Sequence, residues 1–507
     1  MSTFVRRPLL LAAILFAASS AFTQDLAQFE KRVTVKTLPN GLTIIVCERH
    51  EAPVFSFYTH VDAGSVQDPK GKGGLAHMFE HMAFKGTDRI GTTNYAAEKI
   101  ALAKVETAFA AYDAERLKIV GQDKAKLAQL KKAWEDARAA ADKYVVENQF
   151  SEILERNGAE DMNAETKSDE TIYFYSMPSN RLELWAYMDS ERFLHPVMRE
   201  FYKERDVVYE ERRLRVDSSP VGRLIEQFLA AAFVAHPYHN EGIGWPWELE
   251  SFSATDAASF FEKYYIPSNM VVAVVGDVTP QQVIPLAEKY FGRLPARPRS
   301  LSDITAEPPQ DAERHVTIRE QSQPFYIEGY HRPSYLDADD AVYDVITDLL
   351  STGRTSRLYR ALVRDKKIAA VAQGFSGFPG DKYPNLFAFL AIPSRGHTAL
   401  EIQSAMHEEI DRLSNQDISD EELKMVKTRI RADLIRSLAD NEGLAEDLAT
   451  NQARYGDWRE LFRGVDRVDK VTKADIRRVA ARIFVPQNRT VAVTETEAPP
   501  AAKGGQQ

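Results

Sequence analysis

A stretch near the middle of the chain returns close to its end. Asp256 … Tyr265-Ile266-Pro267-Ser268-Asn269-Met270-Val271-Val272-Ala273-Val274 recurs as Asp475 … Phe484-Val485-Pro486-Gln487-Asn488-Arg489-Thr490-Val491-Ala492-Val493. The offset is 219 residues throughout (475 − 256), without a gap. Each copy reads as a helix, a Pro-Xaa-Asn turn and a strand rich in β-branched residues. A helix-turn-strand could recur by chance, but Asp, Pro and Asn matched at one offset favour a duplication. The period is too long for a solenoid, so it predicts two similar domains. At 507 residues the chain has room for about two or three.

The boundaries follow from local composition. Arg6 and Arg7 precede the short apolar run Leu9–Ala18 and the small residues Ser19-Ser20-Ala21, so residues 1–23 read as a cleaved targeting segment for export, with a periplasmic destination. The first domain is then 24–292. Four prolines (Pro295, Pro298, Pro308, Pro309) mark 293–312 as a linker, and 313–497 is the second domain. Residues 498–507 read as a disordered tail. No later run is apolar enough to span a bilayer. A formal charge of −10 provides no basic footprint, which argues against nucleic acid as a partner. The single cysteine, Cys47, sits in a strand-like run and suits a buried structural thiol.

Within the first domain, Val33–Val35, Leu42–Cys47, Val54–Val61 and Thr171–Tyr175 have strand composition. Residues from about 99 to 150 differ. Leu102, Val105, Phe109 and Tyr112, then Leu127, Leu130, Trp134, Ala137, Ala141 and Tyr144, repeat at alternating spacings of three and four on either side of Gly121. This predicts a helical hairpin, equally compatible with packing on the body and with a protruding arm.

The chemistry is concentrated in Gly73-Gly74-Leu75-Ala76-His77-Met78-Phe79-Glu80-His81-Met82, which contains H-x-x-E-H. In a helix, His77 and His81 stack one above the other and can share one zinc ion. Glu80, on the edge of that face, suits a base that takes a proton from water better than it suits a ligand. Two histidines satisfied by ordinary hydrogen bonds are the bland alternative. Downstream, a charged helix from Phe201 to Val216 places Glu204, Val207, Val208 and Glu211 on one face, as a further ligand and its support would lie.

These residues resemble the M16 peptidase family, the pitrilysin, insulysin and mitochondrial processing peptidase group, over about Val33 to Glu497. The resemblance implies an α+β chain of two homologous domains, each a mainly antiparallel sheet flanked by helices, the halves forming part of a closed peptide chamber. It implies one Zn2+ per chain held by His77, His81 and Glu211, with Glu80 catalytic and Glu204 supporting the site from behind. Glu210 competes with Glu211 by one position but lies off the face that Glu204 marks. Asn163-Ala164 matches an edge strand to which peptide substrates add, and Arg364 matches a substrate-contacting arginine. The family's tyrosine seven residues on is Val371 here, which has no hydroxyl. A second chain, either a copy of this one or a related M16 chain, is therefore implied as the partner that completes the chamber. The helical insertion makes the spacing from Glu80 to Glu211 131 residues (211 − 80), longer than the family's usual one. The implied activity is zinc-dependent endopeptidase, with a non-catalytic assembly subunit as the alternative. A lyase of the S-ribosylhomocysteinase type shares H-x-x-E-H, but it is much shorter and uses a cysteine in its site, whereas Cys47 precedes the motif.

Overall fold

Runs of β-branched and aromatic residues, bounded by turn residues, build two sheets in the computed structural model, which describes residues 28–299 and 304–497. The targeting segment and the tail expected from sequence lie outside those residues. The first sheet comprises β1 (Val33–Thr37), β2 (Thr43–Glu48), β3 (Val54–Val61), β4 (Glu160–Thr166), β5 (Thr171–Pro178) and β6 (Met270–Gly276), in the order β1-β2-β6-β3-β5-β4. The second comprises β7 (Arg314–Glu320), β8 (Phe325–Arg332), β9 (Ala369–Phe378), β10 (Asn385–Pro393) and β11 (Arg489–Thr496), in the order β7-β11-β8-β10-β9. In each sheet one pair is parallel, β2 with β6 and β11 with β7, and the other pairs are antiparallel. Setting β6 against β11 therefore also matches β2 with β7, β3 with β8, β5 with β10 and the edge strands β4 with β9. The repeat read from sequence is the same unit twice: a helix, a short 3-10 turn from Pro to Asn, and the strand β6 or β11.

The principal helices are α1 (Leu75–Met82), α2 (Tyr95–Arg116), α3 (Lys124–Asp142), α4 (Phe201–Arg212), α5 (Pro220–Ala232), α6 (Ala254–Tyr264), α7 (Asp420–Ser437), α8 (Asn441–Tyr455) and α9 (Lys473–Ile483), of which α6 and α9 are the helices of the repeat. Each half has its own apolar core on one face of its sheet. The other face is covered by a helix from the opposite half. Leu224, Phe228, Leu229 and Ala232 of α5 pack on Ile327, Leu386 and Ala492 of the second sheet. Leu444, Ala445, Leu448 and Ala449 of α8 pack on Ile45, Cys47, Tyr58, Val271, Ala273 and Val275 of the first. Cys47 is buried there, and burial pushes its thiol up to about 11, which keeps it unreactive. The halves thus clasp one another through apolar surface. The stretch between them has neither helix nor strand from 295 to 299 or from 304 to 311. It is nonetheless anchored, since Glu307 accepts hydrogen bonds from the amides of Val234, Ala235 and His236 at 2.9, 2.9 and 3.0 Å.

The hairpin is α2 and α3. The side chain of Asn94 caps α2 by accepting from the Ala97 amide, and that of Asp123 caps α3 by accepting from Ala125 and Lys126. Val105, Phe109, Trp134 and Ala141 are buried and belong to the first core. Trp134 stacks on Tyr112 and meets Tyr202 of α4 edge-on, with centroids 5.1 Å apart. The Arg205 guanidinium lies over Phe109 at 5.2 Å. At the tip, Ile119 and Val120 are exposed. Its base packs on the body and its end stands in solvent, so each of the two expected arrangements describes part of it. No helix among the described residues is long and apolar enough to cross a membrane.

Candidate metal centre

Helix α1 buries Leu75, Met78, Phe79 and Met82 at helical spacing, which turns His77, Glu80 and His81 toward the opposite side. Its start is fixed twice. The Asp68 carboxylate accepts from the amides of Gly74 (2.7 Å) and Ala76 (2.8 Å), satisfying donors that a helix N-terminus leaves open. Gly74 has φ 91°, and a Cβ there would sit 2.4 Å from the Ile243 carbonyl oxygen, so only glycine fits. Helix α4 buries Tyr202, Arg205, Val208 and Arg212 and presents Glu204 and Glu211 to α1. Arg212 holds the helix in place, donating to the Gly244 carbonyl at 2.6 Å and to Glu226 at 2.7 Å.

The two helices bring three potential ligands to one point. Glu211 Oε2 lies 3.7 Å from His77 Nε2 and 3.6 Å from His81 Nε2, and the three donor atoms are all within 4.8 Å of one another. Among the described residues this is the only group of three or more His, Cys, Asp or Glu side chains so gathered. The imidazole rings stand at 86° with centroids 4.8 Å apart. His81 Nδ1 faces Glu204 Oε2 at 3.4 Å, and Glu204 in turn pairs with Lys85. Glu210 points elsewhere and binds Arg213 at 2.8 Å. Two imidazole nitrogens and one carboxylate oxygen, with room beside them, fit the donor set of a zinc site that keeps a position open. His77 Nδ1 is buried and finds no hydrogen-bond partner among the described residues.

Electrostatics distinguish these groups. Burial and then the His81 charge lower the His77 imidazole to about 4. Burial pulls His81 down as well, but its hydrogen bonds to Glu204 and Glu211 outweigh it and raise the ring to about 9. The His81 hydrogen bond also lowers Glu211. Glu80 goes the other way: burial raises its carboxyl above the ordinary value, against the pull of the Thr166 hydroxyl and of His81. Glu80 Oε2 is buried and has no hydrogen-bond partner among the described residues.

A cavity of about 440 Å³ opens over these residues, lined also by Asn163, Ala164, Glu165 and Thr166 of β4. Among the described residues β4 pairs only with β5, which leaves its outer edge free. Asn163 and Ala164 are therefore brought beside His77, Glu80, His81 and Glu211. Arg364 is not. It lies in a π-helical turn (Tyr359–Asp365), exposed and paired with Asp365 at 2.6 Å, and lines a separate pocket with Arg357, Arg360 and Glu422. Val371, on the edge strand β9, is also outside the metal cavity. Sequence reading passed over Thr166, Arg215 and Glu241, which line or support the site. Arg215 was within reach of it: it follows Glu211 by four positions and bonds its Oε1 at 2.8 Å. Thr166 and Glu241 arrive through long-range folding and had no local signal.

The family model described as "Insulinase (Peptidase family M16)" matches residues 44–115, and "Peptidase M16 inactive domain" matches 251–430. The chain is 28% identical to the zinc protease PqqE of Helicobacter pylori over 450 residues, covering 87% of this chain and 88% of that one. It is 22% identical to a probable mitochondrial-processing peptidase subunit beta of Arabidopsis thaliana, over 89% of this chain and 76% of that one. The crystal structure of a protease from Helicobacter pylori superposes with a TM-score of 0.75 at 26% identity, covering 91% of this chain and 99% of the other. The first half of the periplasmic protease PqqL from Escherichia coli shares the fold at a TM-score of 0.65 and 17% identity, over 92% of each chain. Two sheets of matching topology, the family models on both halves and relatives that align over most of their length lead to one conclusion: the chain is a two-domain member of the M16 family.

Proposed function

We propose that the protein is a zinc-dependent endopeptidase acting on peptides or unfolded polypeptides. The observation that carries this reading is the convergence of His77, His81 and Glu211 beneath the free edge of β4, with the Glu80 carboxylate in the same cavity. Zinc held by those three residues would supply Lewis-acid chemistry, acidifying water and polarising a carbonyl oxygen. The chain's own groups do the rest. A substrate adds as an extra strand along β4, using backbone groups at Asn163 and Ala164. Glu80 accepts the proton of the attacking water and delivers it to the leaving amine; its raised pKa suits a group that must carry a proton in both directions. Glu204 orients the His81 ring through Nδ1, with Lys85 holding Glu204 in turn.

In the same reading Arg364 meets the part of a peptide that extends beyond the cavity. A second chain, a copy or a related one, completes the chamber, and Arg6, Arg7 and Leu9–Ala18 direct export to the periplasm. The whole reading is tested by elemental analysis of the purified chain and a peptide-library digest, with chelation and zinc restoration. One zinc per chain and zinc-restored cleavage are expected. Full zinc with no cleavage, or a chain that never binds zinc, would leave the non-catalytic subunit instead.

A further inference from the structure

Where the base of the hairpin meets the body, a cavity of about 300 Å³ opens between α2, α3, the start of α4 and α6. Leu102, Val105, Ala141, Met198, Phe201 and Ala254 give it an apolar lining. Five of its lining residues carry charge, and four of these are engaged. Glu106 accepts from the Tyr202 hydroxyl at 2.6 Å and from the Thr255 hydroxyl at 2.7 Å. Lys203 donates to Glu147 at 2.8 Å and to Glu200 at 2.6 Å. The Arg138 guanidinium lies over the Trp134 ring at 5.1 Å and 3.6 Å from Asp206. Asp142 is the exception: among the described residues its carboxylate makes neither a hydrogen bond nor an ion pair. Burial, then the Glu200 charge, raises that carboxyl above its ordinary value, against the more distant pull of Arg138 and Lys203.

We infer that this cavity binds a small amine with an apolar body of about two fused rings, the rings seated between the hairpin and α4 and the ammonium at Asp142. The volume sets the body. An apolar cavity of about 150 Å³ holds one benzene ring, so twice that space suits a bicyclic one. The charges set the head. A cation pairs with the one carboxylate left open, and a neutral head leaves it without a partner. An acid meets repulsion there and finds Arg138 and Lys203 already engaged. Two of the walls belong to the hairpin, and a third is the first turn of α4, the helix that carries Glu204 and Glu211. An occupant thus braces the hairpin against the helix of the metal centre, and its binding does not depend on the zinc chemistry.

Calorimetry on the full chain tests this with three probes of one shape: naphthylethylamine, naphthylethanol and naphthylacetate. The amine should bind once per chain, on the order of 10-fold more tightly than the alcohol, and the acid should bind least. Asp142→Asn should bring the ratio of amine to alcohol close to one and leave the affinity for the alcohol where it was. Ala103→Phe and Ala258→Leu fill the cavity from different walls and should each remove binding of all three probes. Ala103 is exposed and Ala258 half-buried, so neither change disturbs the core, and Tm checks the fold. The amine should raise the Tm of the wild type with concentration and leave that of the filled variants alone. A merely structural Asp142 would move Tm and not the ratio. The inference is overturned by the absence of amine binding at millimolar concentration or by equal binding of the three probes. A preference that survives Asp142→Asn, or binding that survives both fillings, overturns it as well. None of these outcomes bears on the peptidase reading.

Discussion

Two helix pairs occupy matching places in the two halves and are filled in opposite ways. In the first half α1 packs against α4; in the second the helix Asp340–Ser351 packs against α7. The repeat offset carries Glu204 to Leu423 and Glu211 to Ile430 (204 + 219 and 211 + 219). Both of those residues pack on the second apolar core. Asp340–Ser351 contains no histidine, and its Val342, Val345, Ile346, Leu349 and Leu350 are buried. The second pair is thus mainly an apolar contact, with one ion pair, Arg429 to Asp348 at 3.2 Å, beside it. The first pair holds two imidazoles and two carboxylates in the same kind of space, at a cost in desolvation that apolar residues would not incur. The architecture does not require the polar cluster. Its chemistry was placed on one of two equivalent frames, and the other frame shows what that site looks like when only stability is served.

The comparison is broken most sharply by removing the chemistry and leaving the frame. Glu80→Gln should lower peptide turnover by about 10²–10⁴-fold with zinc retained, because the side chain moves a proton and does not hold the ion. Elemental analysis showing the metal lost along with activity would make Glu80 a ligand. Glu211→Gln should instead deplete zinc and Glu210→Gln should not, since Glu210 is bound to Arg213.

The next largest effect concerns an element that only the first half has. From Met82 to Glu160 the chain covers 78 positions (160 − 82), whereas from Ser351 to Ala369 it covers 18 (369 − 351). The difference is mainly the hairpin, and its base supports the back of α4. Trp134→Ala should cost about 3–5 kcal/mol in urea unfolding, as for a buried tryptophan, since it strips contacts from Phe109, Tyr112 and Tyr202. Ile119→Ser at the exposed tip should stay within about 0.5 kcal/mol. Equal effects at the two positions would mean that the hairpin is not seated on α4.

A smaller effect sharpens the comparison from the other side. Ile430→Glu places in the second half the residue type that the first half carries at Glu211. With no histidine pair to receive it, the carboxylate should cost roughly 1–3 kcal/mol and recruit no zinc. A variant of unchanged Tm would show that the Ile430 site is wetter than its packing implies.

Much of this frame was legible because it is local. The β-branched runs at Val33–Val35, Leu42–Cys47, Val54–Val61 and Thr171–Tyr175 became β1, β2, β3 and β5. The His77/His81 face follows from helical spacing alone, and the choice of Glu211 over Glu210 from which face Glu204 marks. What local pattern could not carry is the choice of partner at a distance. The apolar stripes of α5 and α8 announce burial but not that each helix covers the opposite half's sheet. The hairpin's spacing paired α2 with α3, yet Tyr202 and Arg205, which seat it, lie in what reads as a charged helix. Arg364 matched a motif along the chain, and the fold keeps it on the surface with Asp365. Glu241 reaches the cavity through a turn with no periodicity to read.

The smallest effect is expected at the far end of the hairpin, and it turns on pH. Glu115 closes the tip: its carboxylate accepts from Lys118 Nζ at 2.7 Å and from the Asp123 amide at 2.9 Å, so the end of α2 is tied to the cap of α3. The Lys118 hydrogen bond, then that amide, lowers the carboxyl from 4.5 to about 2. A folded-state pKa below the unfolded one means that the contribution is fully present above the unfolded value and is lost as pH falls through the folded one. The tip should therefore hold at neutral pH and loosen between about 4.5 and about 2. Amide exchange at Asp123 should accelerate over that window, and Glu115→Gln should exchange fast already at neutral pH. The base of the hairpin, held mainly by the packing of Trp134 and Phe109, should stay protected through the same window. Base and tip opening together would show the hairpin to be one cooperative unit and the Glu115 clamp to add nothing local.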